Sequence, residues 1–351
     1  MNVRTAHRLF AARHYGCFAA WRFVVVLLAS VVISAGTALG QEQAGTASSA
    51  DAPPLVAKGA ALDVHVHIAS QLLVDMFTGG GVPAAGADDV VARLDEGGVE
   101  RAVILSAAYF GKTVGFVEDT NVVAENDFVA AEVAKYPDRL IGFCGINPLY
   151  ASAVNEIDRC LALPHMAGIK LHLEGSGVDM RKAEDVAALA AVFDRIAALD
   201  APVLIHVADP YGLPLDPEAF ANLSKVLVSH PTVRVAHAHC AGNTDADTIE
   251  AWLRVGNSGY SPETSFIDVS ACLAYYSDAP LAQREVLVWR LRKWGIGHVL
   301  FGSDYFALFG DTPAATLAAL AKYPFTQDEL DTILANDGSE WLGTGATSGN
   351  N

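Results

Sequence analysis

A (β/α)8 barrel is the fold the sequence predicts between residues 61 and 343, on three observations. Eight short runs rich in β-branched and other apolar residues recur along this region, and an amphipathic stretch follows each of them. The runs are largely apolar on both sides, as parallel strands under a layer of helices should be. The length of the region is close to the usual size of such a barrel. A doubly wound open sheet is the competing architecture, and the count of eight favours closure.

The runs, in order, are LDVHVHI (62–68), RAVILSAAY (101–109), RLIGFCGIN (139–147) and GIKLHLE (168–174), then PVLIHVAD (202–209), VRVAHAHC (233–240), SFIDVSAC (265–272) and HVLFGSDYF (298–306). In the first, side chains alternate, so Asp63, His65 and His67 are expected on one face and Val64 and Val66 on the other. After the fourth, Val186, Leu189, Phe193 and Ile196 recur at helical spacing and predict one buried helix face. Val286, Trp289 and Leu291 are expected to do the same after the seventh.

The flanks differ in composition. Residues 1–22 are basic and hold no acid, residues 23–35 (FVVVLLASVVISA) are apolar or small, and Ala38-Leu39-Gly40 offers small residues for cleavage. This is the order of a secretory signal, so 1–40 is expected to be removed on export, to the periplasm in a bacterium. An uncleaved N-terminal anchor is the alternative, although the apolar run is short for a bilayer span. Residues 41–60 read as a flexible linker and 344–351 as a flexible tail.

Charge narrows the partners. The formal net charge is −17, and all four charged residues before position 41 are arginines, so the remainder is more acidic still. Nucleic acid and anionic membrane surfaces are excluded as partners on that ground. A small-molecule substrate is expected, and a homo-oligomer is compatible with the composition. The five cysteines have no Cys-x-x-Cys spacing, which disfavours a disulfide scaffold or a thiolate zinc site. Cys240 and Cys272 end neighbouring strand runs, so a bridge between them is open.

The polar residues cluster where the strand runs end, which in a barrel is the catalytic face. His65 and His67 lie about 7 Å apart along one strand by the rise per residue, close enough to converge on one cation. His206 ends the fifth run and Asp304 the eighth; a buried aspartate there needs a metal or an imidazolium partner. Lys170 and His172 share a face of the fourth run, with a site role or a salt bridge to Glu174 or Asp179 as alternatives. His237 and His239 share a face of the sixth, and the residues alone leave open which one reaches a site. Tyr109, Phe110, Phe116, Tyr211, Tyr275, Tyr276, Tyr305 and Phe306 follow strand runs and suggest an aromatic pocket wall.

The ordered set DVHVH, GIKLH, AHCAG and LFGSD, with Asn336 beyond it, resembles the amidohydrolase superfamily over about 61–343. Within it, the match is to the group that includes aminocarboxymuconate-semialdehyde decarboxylase. The resemblance implies that His65, His67, His206 and Asp304 hold one divalent cation, zinc first and manganese second. It implies a catalytic role for His239, with Asp304 also catalytic and Lys170, His172 and His237 touching substrate or supporting the site. Cys240-Ala241 stands where paired glycines are common, which keeps the choice between His237 and His239 open. His239 is nearer the rim of the strand and so is expected within reach of substrate. Lys170 stands on the strand that supplies a bridging carboxylated lysine in binuclear members; one metal is expected here.

A cation so held would lower the pKa of a bound water from 15.7 towards about 7. The expected function is therefore a secreted or periplasmic metal-dependent hydrolase acting on a C–N or C–O bond of a small molecule. A metal-dependent decarboxylase of a small carboxylic acid is the alternative, because the same ligands serve both. A catalytically silent ligand-binding barrel is the third reading, and the complete ligand set speaks against it.

Overall fold

The computed structural model describes residues 55–110, 119–242, 247–256, 262–306 and 310–344. The expected signal segment, most of the linker, Phe116 and most of the tail lie outside them.

Among the described residues nine strands form one parallel sheet: β1 (Ala60–Ile68), β2 (Val99–Ser106), β3 (Leu140–Gly145), β4 (Met166–His172), β5 (Val203–His206), β6 (Val235–His237), β7 (Ser265–Asp268), β8 (Val299–Leu300) and β9 (Tyr305–Phe306). Each of β1 to β7 pairs with the next in sequence, and β9 pairs with β1. The backbone N–H of Val64 donates to the carbonyl of Phe301 (2.9 Å), and that of Asp304 donates to the carbonyl of His65 (2.8 Å). These bonds close the sheet into a (β/α)8 barrel, with β8 and β9 as two ends of one interrupted eighth stave. The interruption spans Phe301–Asp304, where the run LFGSD leads the sequence to expect continuous strand. Asp304 explains the break, since its backbone is left-handed (φ 57°).

Apolar residues divide as a barrel requires. Leu62, Val64, Val103, Leu105, Phe143, Leu204, Phe266 and Leu300 form an inner cluster, and Trp341 joins it with its indole N–H on the carbonyl of Val203 (3.1 Å). Val66, Ile169, Ile205 and Ile267 belong to the larger cluster that includes Leu189, Phe193 and Ile196 of the helix Ala183–Ala198. That helix buries the face its spacing predicts. The helix Leu281–Trp294 does so only in part: Leu291 is buried as expected, but Val286 and Trp289 are 45% and 48% exposed, and Leu287 and Val288 are buried in their place. The true stripe runs at i, i+1 and i+4, a spacing that an almost continuously mixed sequence leaves ambiguous.

The first strand also departs from simple alternation. Its register against β2 shifts between Asp63 and Val66. Leu62 and Val64 therefore join the inner cluster, and Val66 and Ile68 the outer one. Asp63 is not on the histidines' side of the chemistry: its Oδ1 accepts from the backbone N–H groups of His65 (3.1 Å) and Ser303 (3.0 Å). Burial raises its carboxyl to about 7.

Two disulfides are present among the described residues, Cys144–Cys160 and Cys240–Cys272. The first ties β3 to the helix Ala153–Leu161 and has no counterpart in the sequence expectations. No helix among the described residues is long and apolar enough to cross a membrane.

Candidate metal centre and active site

Parallel strands all deliver their last residues to one rim, and that is where the titratable groups meet. On β1, His65 Nδ1 donates to Asp268 Oδ2 (2.9 Å), because a carboxylate can only accept. His67 Nδ1 donates to the carbonyl of Leu105 (3.1 Å) for the same reason. Both rings therefore turn bare Nε2 atoms to the interior, and these stand 3.2 Å apart. Burial, and next the Lys170 ammonium, hold both imidazoles well below their ordinary pKa, so neither Nε2 is a ready donor. Two lone pairs that close repel unless a donor or a cation lies against them, and Lys170 Nζ meets only that of His65.

Two groups stand against the pair. Asp304 Oδ1 is 3.3 Å from His65 Nε2 and 3.7 Å from His67 Nε2. Lys170 Nζ, fully buried, is 3.2 Å from His65 Nε2, and burial pulls its ammonium down to about 8. The eighth stave comes this close because Gly302 has no side chain: a Cβ there would sit 3.1 Å from His65 Cβ and 3.2 Å from Ser270 Cβ.

His206 ends β5, with neither ring nitrogen in a hydrogen bond. Its ring stacks on His172 (centroids 3.9 Å) and meets His239 edge-on (4.9 Å). Its Nε2 lies 3.7 Å from Glu174 Oε2. His172 Nδ1 accepts from the backbone N–H of Gly175 (3.0 Å).

His239 and His237 part company. His239 lies just past β6 with φ 54° and ψ 53°, stacked on His65 at 4.7 Å. Ser270 Oγ donates to Asp268 Oδ1 (2.5 Å), so it accepts from His239 Nδ1 (2.9 Å) and leaves Nε2 bare. Burial lowers the His239 imidazole to about 4. His237 is buried between Trp252 (4.6 Å) and Trp294 (5.7 Å), where burial lowers it to about 3.

The ligand atoms of His65, His239 and Asp304 fall within 4.8 Å of one another, and so do those of His172, Glu174 and His206. The first group, with His67 beside it, and the second adjoin through His206 and His239. Imidazole nitrogens with a carboxylate oxygen are the donor set of a zinc-like divalent cation, and the facing Nε2 atoms and the His206 nitrogens, which make no hydrogen bond, fit one. Of the expected ligands, the structure groups His65 and Asp304 with His239, and His206 with His172 and Glu174.

The sequence alone does not single out Asp268 or Ser270. Asp268 is fully buried and accepts from His65, from the backbone N–H groups of His239 and Ser270 (3.0 Å each), and from Ser270 Oγ. The available signal was a carboxylate ending an apolar run in SFIDVSAC, the pattern that points to Asp304. The aromatic wall is smaller than the sequence suggests. Tyr109 stacks on His172 (4.8 Å), and Tyr109 and Phe306 approach His67 (6.5 and 6.2 Å). Phe110 packs beside Tyr109. Tyr211 and Tyr275 are exposed, 80% and 56%. Tyr276 packs on the outer cluster, and Tyr305, beside Val66, turns its hydroxyl to Asp89. Strand alternation is the reason: Phe306 pairs with His67, so its neighbour faces outward.

A sequence model of the amidohydrolase family matches residues 62–336. The chain belongs to the amidohydrolase family. It is a metal-dependent enzyme of that superfamily. No curated protein sequence matches this amidohydrolase. Among solved structures it is similar to a probable 2-pyrone-4,6-dicarboxylic acid hydrolase from Acinetobacter baumannii with citric acid bound (19% identity, TM-score 0.58, 81% of this chain and 99% of that one). It is similar to a dihydroxybenzoic acid decarboxylase from Polaromonas sp. with bound manganese and 2-nitroresorcinol (15%, 0.59, 82% and 98%). A 5-carboxyvanillate decarboxylase from Sphingomonas paucimobilis is a third (15%, 0.58, 81% and 99%). At these identities the likeness shows the fold.

Proposed function

We propose that this amidohydrolase-family enzyme is a metal-dependent decarboxylase of a small carboxylic acid, in place of the hydrolase expected from sequence. The observation that carries the reading is the pairing of the metal donors with an apolar aromatic wall, Tyr109 and Phe306 beside His67. Apolar surroundings favour loss of a carboxylate, and a flat wall suits a ring. Several of the solved structures of like fold are decarboxylases of hydroxylated aromatic acids, and hydroxybenzoic acids are the first substrates to test.

A divalent cation held by His65, His67, His206 and Asp304 supplies a Lewis acid for the substrate's anionic oxygens. The chain's own groups then divide the proton work. His239, neutral and bare at Nε2, accepts the proton of a substrate hydroxyl, while the Ser270–Asp268 pair fixes its ring. The carboxyl of Asp304, one-third exposed, gives a proton to the carbon that carries the carboxylate. The C–C bond breaks, its electron pair returns to the ring, and carbon dioxide leaves. Exchange with solvent returns His239 and Asp304 to their starting forms.

Metal-loaded protein is expected to hold about one divalent cation per chain and to release carbon dioxide from a hydroxybenzoic acid, with both lost on chelation. Elemental analysis separates zinc from manganese, which two of the decarboxylases of like fold contain. Turnover of lactones or amides without any carbon dioxide from carboxylic acids would return the reading to hydrolysis. The 2-pyrone-4,6-dicarboxylic acid hydrolase among the like folds supports that second reading.

We also propose that the enzyme acts after export with residues 1–40 removed. The basic and apolar start supports this, as do two disulfides, which persist in oxidising compartments. Exported protein is expected to begin at Gln41; a chain still starting at Met1 refutes cleavage.

A further inference from the structure

We propose that the Cys240–Cys272 disulfide positions His239, so that turnover depends on the oxidation state of this one bridge. The proposal rests on His239 being the group that exchanges a proton with substrate.

The backbone that carries His239 is unusual. His239, Cys240 and Ala241 have φ of 54°, 56° and 69°, three successive non-glycine residues in the left-handed region. L-residues visit that region singly, and glycine is the residue that occupies it freely. Something must hold the segment, and the sheet does not: the β6–β7 ladder ends at the pair His237 and Ile267. Past that pair, three links among the described residues cross the seam. The backbone N–H of His239 donates to Asp268 Oδ1 (3.0 Å), His239 Nδ1 donates to Ser270 Oγ (2.9 Å), and Cys240 is bonded to Cys272.

The covalent link sits next to both hydrogen-bonded partners. Cys240 follows His239 directly, and Cys272 follows Ser270 by two residues, with Ala271 between them also left-handed (φ 50°). Both cysteines are fully buried, with Cα atoms 6.0 Å apart. The bridge thus pins the β6 and β7 ends to each other just where the imidazole must face Ser270. The other disulfide, Cys144–Cys160, joins β3 to a helix and crosses no part of this seam, which makes it an internal control.

Reduction by a dithiol such as dithiothreitol balances simply. The dithiol gives two electrons and two protons, the S–S bond becomes two thiols, and the reagent closes to its own cyclic disulfide. With the bridge open, the left-handed turn can relax, and His239 leaves Ser270.

The test uses the full metal-loaded chain. Cys240→Ala/Cys272→Ala is expected to lower kcat at least tenfold with metal content kept and KM little changed. Cys144→Ala/Cys160→Ala is expected to leave kcat within twofold. Cys240→Gly/Ala241→Gly/Cys272→Ala should recover most of the loss and be indifferent to dithiol, because glycine adopts the turn unaided. A merely stabilising bridge would show no such rescue. On the unaltered protein, thiol counting and the His239 imidazole NMR signals are followed through reduction and reoxidation, which tests positioning even if no decarboxylation is found. Unchanged His239 signals after Cys240–Cys272 opens, or unchanged kcat in its double variant, overturn the proposal.

Discussion

His239→Asn is expected to keep its metal and lose about 10²–10⁴-fold in turnover, the usual worth of a positioned acid or base. The metal should stay because His65, His67, His206 and Asp304 are untouched by the change. Turnover should fall because the bare Nε2 is fixed by the chain from His239 Nδ1 to Ser270 Oγ to Asp268. Asparagine can hydrogen-bond but cannot carry a proton away. His237→Asn is the matched control. That imidazole lies between Trp252 and Trp294, so the change should lower the melting temperature and leave chemistry nearly intact. Metal content, melting temperature and kcat are measured for both. A dead His237→Asn enzyme beside an active His239→Asn one would exchange the two roles.

Asp268→Asn is expected to weaken metal binding about 10–100-fold with the fold retained, as loss of a carboxylate behind a ligating imidazole does. The substitution keeps shape and alters only hydrogen-bond polarity. An amide oxygen can still accept from the N–H groups of His239 and Ser270, both now on Asp268 Oδ1. The amide NH2 then faces His65 Nδ1, where Asp268 Oδ2 stood at 2.9 Å. His65 must take the other tautomer and point a proton at His67 Nε2, 3.2 Å away, in the space a cation needs. Titration against a competing chelator reads the change. An affinity equal to that of the parent enzyme would show that Asp268 does not set the His65 tautomer.

The repeat of apolar runs and amphipathic stretches determined the eight strand and helix units, because each unit's hydrophobic pattern is local. The same locality made the rim legible. In a parallel barrel a residue ending a strand stands at one end, so His67, His206 and Asp304 could be placed together before any distance was known. Val66 lies on the outer side, away from the histidines, as alternation predicts, but Val64 and Asp63 do not follow the predicted faces. The Asp63 carboxylate accepts from the backbone N–H of Ser303, which is far away in sequence, and the register of β1 against β2 shifts just past it.

What only the tertiary structure decided are pairings and directions. Asp268 and Asp304 both end apolar runs, and only closure of the barrel puts one behind His65 Nδ1 and the other against its Nε2. His206 is seated against His172 and Glu174, a neighbourhood set by the parallel pairing of β4 and β5, which puts His172 opposite His206, rather than by any motif. Val286 and Trp289 face solvent because the packing of Leu287, Val288 and Leu291 chose the helix's rotation among near-equal stripes. The left-handed turn at His239 is likewise invisible to periodicity. Sequence by itself determines which residues reach the rim, because alternation and strand direction are properties of neighbours along the chain. Which atoms touch there depends on register, rotation and closure, which are set by contacts between segments that the chain order does not relate.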